Sequence, residues 1–262
     1  MMKAKNLFIA VGIAGLIIGL SLAGNSEELT AREILIKSDD IVNAPADREI
    51  VAELIINEEG KRERKRIVRI WQKGEKGVLM FLYPDRLRRT AILTLPNNVR
   101  YVYLPIWREA ERISLEEMEG DADFLGTGFT PADMEALIIH IDDYEPTLLG
   151  SEKLQGLVHY ILKLKIKESI ETDYPVLRVW IRKDEFYPVM IEQYDREGKL
   201  QRVAKMDEWE KTDGYWLPRV SAISDLRRER EIEIRITEVT FDQGLGNELF
   251  TPRKLKRLHK LR

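Results

Sequence analysis

The sequence contains no cysteine, which removes disulfides, thiolate nucleophiles and cysteine-ligated metals together. Histidine is almost as scarce: His140, His159 and His259 are the full set. His140 with Asp142 and Asp143 is a grouping of metal-binding side chains, but its spacing matches no ligand motif, so no metal is expected. A Gly-x-Ser-x-Gly elbow, a phosphate loop and a His-Glu-x-x-His pair are also missing. No catalytic residue and no cofactor are expected on this basis, and the chain reads as a non-enzyme. There is no excess of one charge either. The 42 Lys and Arg nearly balance 45 Asp and Glu, for a formal net charge of −3, which argues against a nucleic-acid partner. Most of the carboxylates alternate with apolar residues, as on the solvated face of a strand, rather than standing as the paired acids of glycoside chemistry.

Among the features present, the N-terminus is the clearest local signal. Lys3 and Lys5 precede an almost unbroken apolar run from Leu7 to Leu22, and Ser21 and Ala23 set small residues where a signal peptidase reads, with cleavage expected after Ala23. The run approaches membrane-spanning length, so retention as an anchor is the competing outcome. Leu22-Ala23-Gly24 begins like a lipoprotein signal, yet Asn25 stands where the lipid-bearing cysteine belongs. The expected organisation is a signal peptide over 1–23 and a single domain over 24–262, exported across a bacterial-type inner membrane and without a lipid anchor of its own.

Thr30-Ala31-Arg32-Glu33 has the form of a capping box. Ile34, Leu35, Ile41 and Val42 follow at helical spacing, so a helix is expected from Thr30 to about Asn43, ended by Pro45. From Arg48 the period changes to alternation: Ile50, Ala52, Leu54 and Ile56 share one strand face. Strands are further expected over 65–73, 78–83, 90–95, 99–104, 157–167, 176–183, 188–194, 199–209 and 229–241, joined by polar turns such as 195–198 and Asp213-Gly214. The stretch 116–128 reads as an acidic loop. Thr130-Pro131-Ala132-Asp133 opens a second helix with an apolar stripe of Met134, Leu137, Ile138 and Ile141, and the tail from Thr251 reads as a short basic helix. This order predicts a mainly β fold with helices: a curved antiparallel sheet with helices on its concave side, a closed barrel being the alternative.

Two strands are apolar on both faces, Val78 to Tyr83 and Val99 to Leu104. A sheet with one core face should alternate. Either helices cover the second face, or the concave face lines an apolar hollow for acyl chains; periodicity alone leaves both open.

Specific segments add to this. Tyr83-Pro84-Asp85 followed by Thr90-Ala91-Ile92-Leu93, Tyr101-Val102-Tyr103-Leu104-Pro105 with Arg108, Arg112 and Ile113 behind it, and Phe124-Leu125-Gly126-Thr127-Gly128-Phe129 running into the helix at Thr130 resemble the motifs of the outer-membrane lipoprotein-sorting family, relatives of the periplasmic carrier LolA. Trp180-Ile181, Pro188, Tyr194-Asp195, Gly198-Lys199-Leu200 and Asp213-Gly214 fall where that family has similar residues, so the likeness spans most of the mature chain. Gly128 departs from it, replacing an acid, as do Pro131 and Ala132.

The resemblance implies an unclosed, half β-barrel wrapped around helices, and a periplasmic carrier that binds lipoprotein acyl chains or another lipid for transfer toward the outer membrane. Candidate lining residues are then Trp71, Met80, Leu82, Leu93, Tyr101, Tyr103, Phe124, Phe129, Met134 and Leu137, with Arg108 and Arg112 as polar closure or docking face. A membrane-anchored donor or acceptor protein would be the partner. Two other functions fit the same fold: a periplasmic regulator that senses through a partner protein, and an accessory subunit of a lipid or hydrophobe exporter.

Overall fold

A computed structural model describes residues 28–97, 99–106, 109–113, 141–170 and 172–258. These residues form one antiparallel sheet of thirteen strands: β1 (Arg48–Glu58), β2 (Arg64–Lys73), β3 (Lys76–Tyr83), β4 (Ala91–Leu95), β5 (Val99–Tyr103), β6 (Ala110–Ile113), β7 (Tyr144–Leu154), β8 (Leu157–Ile166), β9 (Val176–Arg182), β10 (Pro188–Tyr194), β11 (Leu200–Thr212), β12 (Tyr215–Asp225) and β13 (Arg230–Phe241). Their spatial order is β6-β5-β4-β3-β2-β1-β13-β12-β11-β10-β9-β8-β7. Every neighbour is a sequence neighbour except β1 and β13, which join the two ends of the chain. The sheet is curved and not closed: among the described residues β6 and β7 are its edge strands. It is thus the half-barrel that the sequence implied, not a closed barrel.

The turns follow from local chemistry. Asp213 and Gly214 both adopt positive φ, at 51° and 90°, the backbone that a two-residue hairpin needs to match strand twist. They link Thr212 to Tyr215, which pair directly. Three strands carry no clean alternation in the sequence and were not expected from it: β6, β7 and β12. The edge strand β7 shows why. It holds Pro146 and Gly150, with a register shift between Leu148 and Gly150, features that blunt an edge and erase the period-two signal.

Helix α1 (Ala31–Val42) starts where the capping box predicted. Thr30 Oγ1 accepts from the Glu33 N–H at 3.2 Å, and Glu33 Oε2 accepts from the Thr30 N–H at 2.8 Å. These two bonds satisfy donors that a helix start otherwise leaves open. At the other end of the chain, β13 leads through a one-turn helix (Asn247–Leu249) into α2 (Pro252–Leu255). The expected helix over 130–141 and the predicted signal segment lie outside the described residues, apart from Ile141. Among the described residues no helix is long and apolar enough to cross a membrane.

Candidate ligand-binding face

Cross-strand partners share a face of a sheet, so the register shows what each side carries. Starting at Leu148 on β7, the direct partners run Leu162, Val179, Ile191, Ala204, Ile223, Ile232 and Ile56, one per strand to β1. On the other half, Val102, Ile92, Leu79, Ile70 and Ile50 are successive partners. Ile50 and Ile56 lie on β1 at even spacing, so both runs occupy one face. An aliphatic surface therefore crosses the sheet from β5 to β7.

Helix α1 lies on this face, the concave one. Its Ile34 and Leu35 bury against Tyr160, Leu162, Leu164, Leu177, Val179, Ile181 and Ile191. Arg32 donates to the Ile141 carbonyl at 2.8 Å and pairs with Asp142, which ties the helix start to the head of β7. The part of the face on β1–β5 and β13 forms a separate cluster around Leu54, Ile56, Val68, Phe81, Ile92 and Ile232, to which no α1 residue belongs. Ile50, Ile70, Leu79, Leu104 and Ile234 border that cluster and are only half-buried.

One end of the same face is polar. Arg66 pairs with Leu54 across β1–β2, and Arg230, Asp225, Arg202 and Gln193 are successive partners on β13 to β10. All five are buried. Arg202 is 1% exposed; its guanidinium lies 3.4 Å from Asp225 and over the Tyr174 ring. Asp225 also accepts from the backbone N–H groups of Arg227 and Arg228 and from the Arg228 guanidinium at 2.9 Å. Burial pushes its carboxyl up, but these donors and the two arginines outweigh burial and hold it below the usual carboxylate range. At the same end a cleft of about 450 Å³ opens between the β8–β9 loop and the β10–β11 turn, with Ile166, Glu168 and Arg196 in its wall.

The sequence-predicted lining residues lie elsewhere. Trp71, Val78, Leu93 and Tyr101 are successive partners on β2 to β5, and Met80, Leu82 and Tyr103 share their parity. They occupy the face opposite α1. There Trp71, Met80 and Leu93 bury against Leu249, Phe250, Leu255 and Leu258 of the C-terminal segment, with Leu82, Tyr101 and Tyr103 packed beside them. Both faces of β3 to β5 are apolar because each has a cover or a floor of its own, and the tail accounts for the second face. Arg112, the partner of Tyr101, is exposed on this convex side and so does not close the concave face. Phe124, Phe129, Met134, Leu137 and Arg108 lie outside the described residues.

His159 falls on the polar half of the β8 alternation, the half expected to face solvent, yet it is 3% exposed, between Glu152 and Arg182 on the neighbouring strands. Burial lowers its pKa. The buried polar row on the concave side was not expected from the sequence either: Arg66, Arg202 and Arg230 share strand parity with Val68, Ala204 and Ile232, yet as charged residues they drew no attention to that face. Among the described residues, no cluster of acids and histidines could hold a metal ion.

A half-barrel that folds around its own N-terminal helix and keeps an aliphatic concave face is the fold of the LolA-type lipoprotein-sorting proteins. A domain from Vibrio parahaemolyticus assigned to outer-membrane lipoprotein sorting shares 24% identity, with a TM-score of 0.75 over 87% of this chain and 98% of that one. A DUF1329 family protein from Desulfovibrio piger matches equally well, at 24% identity and TM-score 0.75 over 86% and 97%. A LolA superfamily protein from Nitrosomonas europaea shares 21% identity, with a TM-score of 0.68 over 86% and 98%. These likenesses establish the fold. The chain itself belongs to the family whose model, described as an uncharacterized protein, matches residues 73–257. No curated protein matches the sequence.

Proposed function

We propose that this protein is a periplasmic carrier that shields acyl chains, of a lipoprotein or a related lipid, against the concave face of its half-barrel on the way to the outer membrane. It works by binding rather than by catalysis, and it reaches the periplasm by means of residues 1–23. The observation that carries this reading is the continuous aliphatic face. It extends beyond the strands that α1 covers and ends in the half-buried Ile50, Ile70, Leu79, Leu104 and Ile234. Each methylene removed from water contributes about 0.8 kcal/mol, so an acyl chain laid along these residues binds firmly without any charge pairing. The LolA-type fold supports the same assignment.

The lining proposed here is accordingly the α1 side, while Trp71, Met80 and Leu93 hold the tail. A fluorescent fatty-acid probe tests both statements. The protein should bind it, and Leu79→Glu or Ile234→Glu should weaken binding about tenfold or more, since a carboxylate is set against the hydrocarbon. Met80→Glu should lower stability with a smaller effect on the probe. If Met80→Glu abolishes binding while Leu79→Glu leaves it intact, the guest lies under the tail. If the folded protein binds no acyl probe at all, the carrier reading fails.

A further inference from the structure

The charge of this protein is distributed unevenly, and the most exposed large apolar side chain among the described residues sits within a basic part. The last paired residues of β4 and β5 at one end are Ala91 and Tyr103, so the β3–β4 and β5–β6 loops leave the sheet side by side. The first presents Arg86, Arg88 and Arg89 to solvent around the buried Leu87. The second presents Ile106, which is 85% exposed. Tyr83, at the end of β3, is 45% exposed beside them. Helix α2 packs across β4, β5 and β6 on the convex face. Leu255 and Leu258 face the sheet, so Arg253 and Arg257 are left outward and exposed. The Lys256 ammonium lies 3.2 Å from Glu109 in the β5–β6 loop, which brings the end of the tail to the same corner as Ile106. Arg112 is exposed on that convex side too. Across Asp85–Arg89, Glu109–Arg112 and Arg253–Arg257 there are eight basic residues and three acidic ones, in a chain whose formal net charge is −3.

We infer that this corner, with Ile106 and Tyr83 at its tip and the arginines of the β3–β4 loop and α2 around them, docks on an anionic lipid bilayer. An aliphatic and an aromatic side chain ringed by arginines match the two layers of such a surface: apolar groups enter the acyl boundary while guanidinium groups stay with the phosphates. Each arginine near an anionic leaflet contributes about 1 kcal/mol, or about fivefold in partitioning. Leu87 and Leu104 pack into the cluster of the α1 face while α2 lies on the opposite face, so the corner sits at one end of the sheet, between its two sides. The inference does not depend on what the concave face binds.

The test is co-sedimentation with vesicles, using the chain from residue 24 onward, which contains all thirteen strands and both helices. The protein should sediment with phosphatidylcholine vesicles containing phosphatidylglycerol, and much less with phosphatidylcholine alone. Raising salt to about 1 M, where the Debye length falls to about 3 Å, should release most of it. Arg88→Ala and Arg253→Ala should each weaken partitioning about fivefold, and Ile106→Ser should weaken it at unchanged charge. Lys163→Ala, on the exposed face of β8, should leave it unaltered. Ile106 and Arg253 are exposed, so these variants should fold, which a matching urea midpoint verifies. No sedimentation with the anionic vesicles overturns the inference. So does equal loss from Lys163→Ala, or a requirement for a membrane protein in the vesicles before the chain binds. Acyl-probe binding measured without vesicles reports on the concave face separately, so the two proposals can fail independently.

Discussion

A buried carboxylate anchors the start of the C-terminal segment, and removing it should loosen the convex face. Asp47, just before β1, is 3% exposed. Its Oδ1 accepts from the Gln243 N–H and its Oδ2 from the Leu245 N–H, both at 2.8 Å. The Asp47 carbonyl accepts in addition from the Asp242 N–H at 2.9 Å. These bonds turn the chain out of β13 and aim it across the sheet, where Leu249, Phe250, Leu255 and Leu258 bury Trp71, Met80 and Leu93. Asp47→Ala leaves two partly buried donors without acceptors. A hydrogen bond to a charged group contributes about 1.5–3 kcal/mol, and partial exposure of the donors reduces that, so the expected loss is about 2–4 kcal/mol. For a domain of this size that is a fall in Tm of about 5–10 °C. Asp47→Asn keeps one acceptor and should lose about half as much. Urea denaturation followed by tryptophan fluorescence measures the stability, and trypsin at Arg253, Lys254, Lys256 and Arg257 reports release of the tail. An Asp47→Ala protein within about 0.5 kcal/mol of the original, with an equally protected tail, would refute the reasoning and leave the burial of Trp71 to be explained some other way.

Other outcomes are expected. His159 is kept below its ordinary value of 6.5 by burial, so the unfolded chain takes up the proton more readily than the folded one. The stability contributed by the neutral imidazole is complete above about pH 6.5 and declines as pH falls below it. His159→Gln should flatten that slope in denaturation measured between about pH 7.5 and 5, and an unchanged slope would count against it. Thr30→Ala removes the cap of α1 and should cost about 1 kcal/mol, read from the urea midpoint; no loss would mean the capping box adds nothing. Ile56, fully buried at 0% exposure, should cost about 2–5 kcal/mol as Ile56→Ala, and a smaller loss would mean that the core around it relaxes into the space.

Much of the secondary structure was legible because its causes are local. The capping box placed the start of α1, and alternation in Glu231-Ile232-Glu233-Ile234-Arg235-Ile236 marked β13 without ambiguity. The motif around Tyr83 helped lead to the half-barrel because Pro84 to Thr90 is a strand connection, where backbone conformation restricts the choice of side chain. β7 escaped notice since Pro146 and Gly150 interrupt its pattern, and β12 since Arg219 and Ser221 interrupt the face that carries Leu217 and Ile223. Apolar excess on both faces of β3 and β5 was apparent in the sequence, but not which face meets which cover: Met80 and Tyr101, expected to line a hollow, lie on the face that the C-terminal segment covers.

By itself, then, the sequence determined which residues alternate, where the chain turns, and that both faces of β3 to β5 avoid water. These are consequences of the two-residue period of a strand and of the φ and ψ each residue tolerates. Only the tertiary structure decided which of the two faces turns toward α1 and which toward the tail. A period of two separates two sets of side chains without saying what each set meets. That depends on the pairing of β1 with β13, nearly the whole chain apart, and on where helices from opposite ends of the chain come to rest. The same long-range packing buried His159, a side chain whose local pattern matched that of surface residues.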